Sequence, residues 1–184
     1  MLFDKWMEKN HPDKPFARYA DDAGAHCQCF EETKELLESL KQRFAECRLE
    51  LHPTKTRIVY CKDDDRRGEY SEIKFDFPGY TFRPRRSKNR YGKNFINFTP
   101  AVSHKAKKAM RQTIHDWWMH LKPDKTLEDL SRMFNAVIRG WINYYGRFYK
   151  SELYSVLNHM NRALVGHEKV QEICQTPATS HTLA

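Results

Sequence analysis

Hydrophobic positions follow two different periods along the chain. Leu2, Phe3, Trp6 and Met7 share one helical face, so residues 2 to 9 read as a helix tail ending before His11-Pro12. Phe16-Ala17-Arg18-Tyr19-Ala20-Asp21-Asp22 then runs from apolar residues into two adjacent acids, followed by Ala23, Gly24 and Ala25. That pattern predicts strand, tight turn and strand, with the acids at the tip. From Glu31 to about Arg48, Leu36, Leu37, Leu40, Phe44 and Cys47 recur every three or four residues, as in an amphipathic helix packed beneath a sheet. Residues 49–60 read as a turn and then a strand, since Pro53 bars continuation of the helix. Asp63 to Glu69 lacks apolar periodicity and reads as an exposed loop, its three aspartates solvated. Ile73, Phe75 and Phe77 alternate with polar residues, and Pro78-Gly79 separates them from Tyr80-Thr81-Phe82, a small hairpin or bent strand. A basic connection over residues 83–93 leads to a strand from Asn94 to Thr99.

Past a boundary near Pro100 to Ser103 the period becomes helical. Ala106, Met110, Ile114, Trp117, Trp118 and Leu121 form one stripe, with Ser103 as N-cap and Pro123 as terminator. Thr126 with Asp129 offers a capping signal for a second helix reaching Gly140 on Leu127, Leu130, Phe134, Val137 and Ile138. A third runs from Ser151 to Val165, and Gln175 to Ala184 reads as a disordered tail.

A chain of 184 residues can bury a real core. Its mean hydropathy of −0.84 is polar, and no apolar run approaches the roughly 18 residues of a membrane span. A cytoplasmic protein with no membrane partner is therefore expected. The five cysteines are odd in number and lack metal-ligand spacing, so reduced thiols are expected, with Cys27 and Cys29 on one face of a strand as core filler.

The charge is asymmetric. Of the net +8, the stretch from Arg83 to Lys169 carries 18 Lys/Arg against 6 Asp/Glu, which leaves 14 against 18 elsewhere. Such a balance points to a phosphate-facing surface in the second half, the alternative being a merely solubilising one. Arg85, Arg86, Lys88, Arg90, Lys105, Lys107, Lys108 and Arg111 form the densest basic group, and no core role suits them from sequence. In the first half, Asp21 and Asp22 are candidate Mg²⁺ ligands, because a hard cation relieves the repulsion between adjacent carboxylates.

Phe16 to Asp22 resembles the Tyr-Ala-Asp-Asp box of reverse transcriptases, in the form carried by group II intron reverse transcriptase/maturases. Leu51-His52-Pro53-Thr54-Lys55-Thr56 is similar to the segment after that family's palm helix, and Phe75 to Phe82 to its primer-grip hairpin. Phe134 to Phe148, with Arg139-Gly140-Trp141-Ile142-Asn143-Tyr144-Tyr145 at its centre, resembles the maturase-specific, or X, domain. The resemblance implies an α+β fold. Residues 1–102 would be a partial palm carrying the acid-box and primer-grip-like hairpins, residues 103–165 a helical thumb/X domain, and residues 166–184 a divergent, disordered tail.

It further implies RNA-directed DNA polymerase chemistry at Asp21 and Asp22 with Mg²⁺. It also implies nucleic-acid contacts by Tyr19, Lys55, Arg139, Tyr144, Tyr145 and Arg147 beside the basic group, to intron RNA and to an RNA/DNA primer-template. Lys55, Tyr144 and Tyr145 could equally be surface or packing residues. Only fifteen residues precede Phe16, too few for the strand that bears the family's third metal-binding Asp, and Asp4 and Asp13 lie in the wrong context to replace it. Weak or absent metal binding and no polymerisation by this chain alone are thus expected, with a separately encoded N-terminal fragment as a conceivable partner. The rival expectations are a noncatalytic RNA-binding, splicing-assisting module and a degenerate mobile-element remnant.

Overall fold

The computed structural model describes residues 2–66 and 68–175. The fold is α+β, with five α-helices and two small antiparallel sheets among the described residues. The chain forms two compact units, one from Met1–Tyr60 with Tyr70–Glu72, the other from Cys61–Glu69 with the residues from Ile73 onward.

In the first unit, α1 (Leu2–Asn10) precedes the hairpin of β1 (Phe16–Tyr19) and β2 (Asp22–Ala25), and α2 (Phe30–Glu46) follows. Phe3 sets its ring edge against Phe16 at 6.1 Å and Phe44 at 5.8 Å, while Met7 and Leu36 are buried. One aromatic residue of α1 thus ties helix, hairpin and α2 together. Lys14 bridges Asp13 and Glu32, each at 2.9 Å, and these carboxylates hold its ammonium well above the usual lysine range. At the end of α2, Arg48 takes a left-handed φ of 55° and Leu49 N–H reaches back to the Phe44 carbonyl at 2.8 Å.

Two expectations fail here. Residues 49–60 make the predicted turn, with Thr56 N–H on the His52 carbonyl, but no strand. A strand needs a ladder, and Tyr60 N–H to Glu72 carbonyl at 2.8 Å is one bond, supported by the Tyr60 and Tyr70 rings at 4.4 Å. Cys27 and Cys29 lie beyond β2, Cys29 exposed at the N-cap of α2, so neither fills a strand core. Cys27, Cys29, Cys47 and Cys61 are free thiols, and the Cys174 side chain lies outside the described residues.

In the second unit, β3 (Phe75–Phe77), β4 (Tyr80–Lys88) and β5 (Asn94–Val102) form an antiparallel meander in the order β3-β4-β5. Pro78 and Gly79 connect β3 to β4, and Gly79 at φ +78° supplies the left-handed position that a type II turn requires. Phe75 stacks on Phe82 at 4.8 Å across the register Phe75↔Phe82. The strand expected to stop at Thr99 runs on to Val102, which enters the helical core.

Ser103 caps α3 (His104–Asp116) by accepting the Ala106 N–H at 3.1 Å, and Thr126 with Asp129 forms the predicted capping box of α4 (Leu127–Tyr145). These helices and α5 (Ser151–Gln175) bury Met110, Ile114, Leu130, Phe134, Leu153 and Val156. Trp117 stacks between Phe134 at 4.2 Å and Trp141 at 5.8 Å.

The predicted α3 stripe breaks after Trp117. Trp118 takes φ +49° and faces outward, Leu121 is exposed, and Met119 takes the buried place instead. α4 passes through Gly140 to Tyr145, because Trp141 and Tyr145 pack on the core. α5 continues past Val165 to Gln175, and a reason is visible at His167, fully buried with its Nε2 3.0 Å from the Lys122 carbonyl. Residues 166–175, expected in a disordered tail, are therefore helical, while residues 176–184 lie outside the described residues. Among the described residues no helix is long and apolar enough to cross a membrane.

Candidate nucleic-acid interface

The acid box is built as a hairpin with a two-residue apex. Tyr19 pairs with Asp22, which leaves Ala20 and Asp21 to turn the chain, and Ala20 adopts φ +51° to do so. Arg18 holds this geometry. Its guanidinium grips Asp4 on α1 through Nε at 2.8 Å and Nη2 at 3.0 Å, while Nη1 donates to the Ala20 carbonyl at 2.8 Å. Asp4 is held below the usual carboxylate range by the Arg18 hydrogen bond, and Asp13 by Lys14. Asp4 and Asp13, the two aspartates that precede the box, therefore already neutralise cations of their own unit.

Asp21 and Asp22 are exposed, and Tyr19 beside them is 66% exposed. Among the described residues no three His, Cys, Asp or Glu side chains come together as a metal site. Two adjacent exposed carboxylates on a hairpin apex do not fit a two-metal polymerase centre, which requires more oxygen ligands in fixed positions. Lys55 is exposed in the turn after His52.

In the second unit the β3–β4 turn and the C-terminal end of α4 lock together. The Tyr80 hydroxyl donates to the Tyr144 carbonyl, and the Tyr144 hydroxyl donates to the Pro78 carbonyl at 3.0 Å. The Tyr80 ring lies 5.3 Å from Tyr144, 5.4 Å from Tyr145 and 5.8 Å from Phe148. Burial raises the Tyr80 and Tyr145 phenols above their ordinary value of 10.0. The two tyrosines expected at RNA thus have structural partners, although Tyr144 keeps half its surface exposed.

The basic group divides into inward and outward members around Glu152, an acid that the sequence did not single out. Lys107 Nζ contacts Glu152 Oε2 at 2.6 Å, Arg85 Nη1 contacts Oε1 at 3.2 Å, and Arg83 lies 3.6 Å away. Arg85 is only 7% exposed, donates to the Thr81 and Thr99 carbonyls, and lies 5.0 Å over the Tyr149 ring. Lys107 first, then the neighbouring arginines, hold Glu152 below the usual carboxylate range, whereas desolvation lowers Arg85. Arg85 and Lys107 accordingly have the core role that sequence reasoning denied them. Arg111 reaches Ser155 Oγ at 3.2 Å. The outward members are Arg86, Lys88 and Arg90 on β4 and its following turn, with Lys105 and Lys108 on α3. Arg139 and Arg147 are exposed on and just after α4, with Arg147 6.0 Å over Phe148.

Alternation along β4 explains this sorting. Odd-numbered Arg83 and Arg85 both reach Glu152 on α5, Arg85 buried and Arg83 still half exposed, while Arg86 and Lys88 are exposed and do not contact it. Between Asp76 and Asp116 the sequence has no acid at all, so nothing local neutralises the outward cations. A shallow hollow of about 190 Å³ between α3 and α4 is lined by Ala106, Ala109, Met110, Thr113, Trp141 and Tyr145, and its lack of charge sets it apart from the basic group.

Residues 107–169 match the family described as "Group II intron, maturase-specific domain". No curated protein and no solved structure matches the chain. The matched stretch begins at Lys107 on α3, passes through α4 and Glu152, and ends at Lys169 on α5, so it spans the helices whose packing buries the core described above. Residues 107–169 are thus similar to the maturase-specific domain of group II introns, as expected for the C-terminal part of such a maturase.

Proposed function

We propose that the second unit binds group II intron RNA and assists its splicing, through the exposed cations of β4 and α3. One observation carries this reading: a stretch of chain without a single acid, residues 77–115, displays Arg86, Lys88, Arg90 and Lys105 just before the stretch that matches a maturase-specific domain, and Lys108 at its start. Structured RNA is engaged chiefly through phosphates, 2′-hydroxyls and unpaired bases, and clustered cations release counterions on contact. Arg139, Arg147 and Lys55 are lesser candidates, each a single exposed cation.

We further propose that the acid-box hairpin is the rear part of a reverse-transcriptase palm, with the helices of the second unit as its thumb, and that it does not polymerise by itself. A Mg²⁺-dependent centre at Asp21 and Asp22, acting on a primer-template, requires a third carboxylate that the described residues do not bring there. A separate polypeptide bearing that acid would supply it. The noncatalytic module is thus the reading favoured for the chain alone.

The test is fluorescence anisotropy of the purified chain with a transcribed group II intron RNA over a range of salt. Four to six phosphate contacts, on the order of those the exposed cations offer, predict a steep negative slope of about −3 to −5 in log affinity against log salt. A flat salt dependence would contradict RNA binding by this surface.

A further inference from the structure

The turn from β4 to β5, residues 89–93, is fixed by its own hydrogen bonds. Asn89 Oδ1 accepts the backbone N–H of both Tyr91 and Lys93 at 2.9 Å. Asn89 N–H donates to the Lys93 carbonyl at 3.0 Å, and Gly92 N–H to the Asn89 carbonyl at 3.0 Å, with Gly92 at φ +84°. Four bonds over five residues leave little freedom to this tip.

On this fixed tip stands Tyr91, 77% exposed. The Arg90 guanidinium lies 4.7 Å over its ring and donates to its hydroxyl, so one face is covered by a cation and the other is open. The ring packs in no core, yet its backbone is held in place. Lys88 and Lys93 flank it, and no carboxylate lies nearby in sequence.

We infer that Tyr91 is a stacking platform for one unpaired base of a bound RNA, with Lys88 and Lys93 taking the adjacent phosphates. This rests on the RNA-binding reading above and adds a site to it. An ordered aromatic ring saves the entropy of fixing it on binding, and its π-face accepts any base. A guanidinium already stacked on the far face polarises the ring and adds positive charge beside the base. An acidic peptide would satisfy the lysines but leave the open face of the ring without a partner, which favours a nucleotide.

The experiment compares a mixed-sequence single-stranded RNA with a blunt RNA duplex of equal length, by anisotropy on the full chain. Tyr91→Ala should weaken the single strand roughly tenfold, in the range expected for loss of one stacked base, and change the duplex by less than about twofold. Tyr91→Phe and Tyr91→Trp should retain binding, and the salt slope should stay the same because no phosphate contact is removed. Equal losses on single strand and duplex, or no loss on the single strand while the chain still binds RNA in a salt-dependent way, would overturn the stacking role alone. Failure of the unaltered chain to bind either RNA at low salt would overturn the RNA-binding reading itself, and this inference with it.

Discussion

Tyr145 stands against Gly79 so closely that a Cβ on the glycine would meet the tyrosine hydroxyl at 2.6 Å. This joins the β3–β4 turn to the end of α4 across 66 residues of chain. Gly79→Ala meets two penalties, a left-handed φ and a collision, and should cost about 2–3 kcal/mol. Tyr145→Phe removes the colliding oxygen. The double variant should therefore recover part of the loss in thermal melts, while the backbone penalty of about 1 kcal/mol remains.

Glu152 is the anionic centre of a cationic cluster, so removing it leaves Arg85 buried without its counter-charge. Glu152→Ala should destabilise by about 2 kcal/mol, less than for a fully buried pair because the carboxylate is partly solvated.

The same residue sets a pH dependence. Its folded pKa lies below the ordinary 4.5, so its stabilisation is complete above that value and is lost as pH falls through the lower folded one. Urea melts should show acid weakening below about pH 4.5 that is smaller in Glu152→Gln, because the variant has no carboxylate there to protonate.

Lys107 and Lys108 are neighbours in sequence with opposite assignments. Lys108→Gln should leave stability within about 0.5 kcal/mol and reduce the salt slope of RNA binding by about 1. Lys107→Gln should lower the melting temperature, since it breaks the 2.6 Å contact to Glu152.

The acid-box apex predicts a negative result. Asp21→Ala and Asp22→Ala, both at exposed positions, should alter neither stability nor RNA affinity, and the chain should extend no primer in Mg²⁺. Incorporation that those two substitutions abolish would contradict this. Arg18→Ala should loosen the hairpin, because it releases both Asp4 and the Ala20 carbonyl.

Local signals carried much of this structure into the sequence. The capping box at Thr126 and Asp129, the Ser103 cap, the acid-box hairpin and the Pro78-Gly79 turn were legible because each depends on residues within four positions. What depends on distant partners was not. Residues 49–60 have strand-like composition but no neighbouring strand to pair with along their length. Trp118 has the spacing of the α3 stripe, yet the helix has already ended. Arg85 and Arg86 look alike in sequence, and only the pleat of β4 together with Glu152, 67 residues away, turns one into a core residue. The period-2 alternation of β4 was the available signal for that division. Glu152 itself offered none beyond being a rare acid in a basic half.

If the exposed cations of β4 and its tip bind intron RNA as proposed, the chain should differ sharply from a variant carrying Arg86→Gln, Lys88→Gln and Arg90→Gln. Anisotropy against a group II intron RNA should show affinity falling at least about tenfold and the salt slope shrinking by about 2 to 3, with an unchanged circular dichroism spectrum. A folded triple variant that binds the RNA as tightly, and with the same salt slope, would exclude β4 and its tip as the RNA-binding surface.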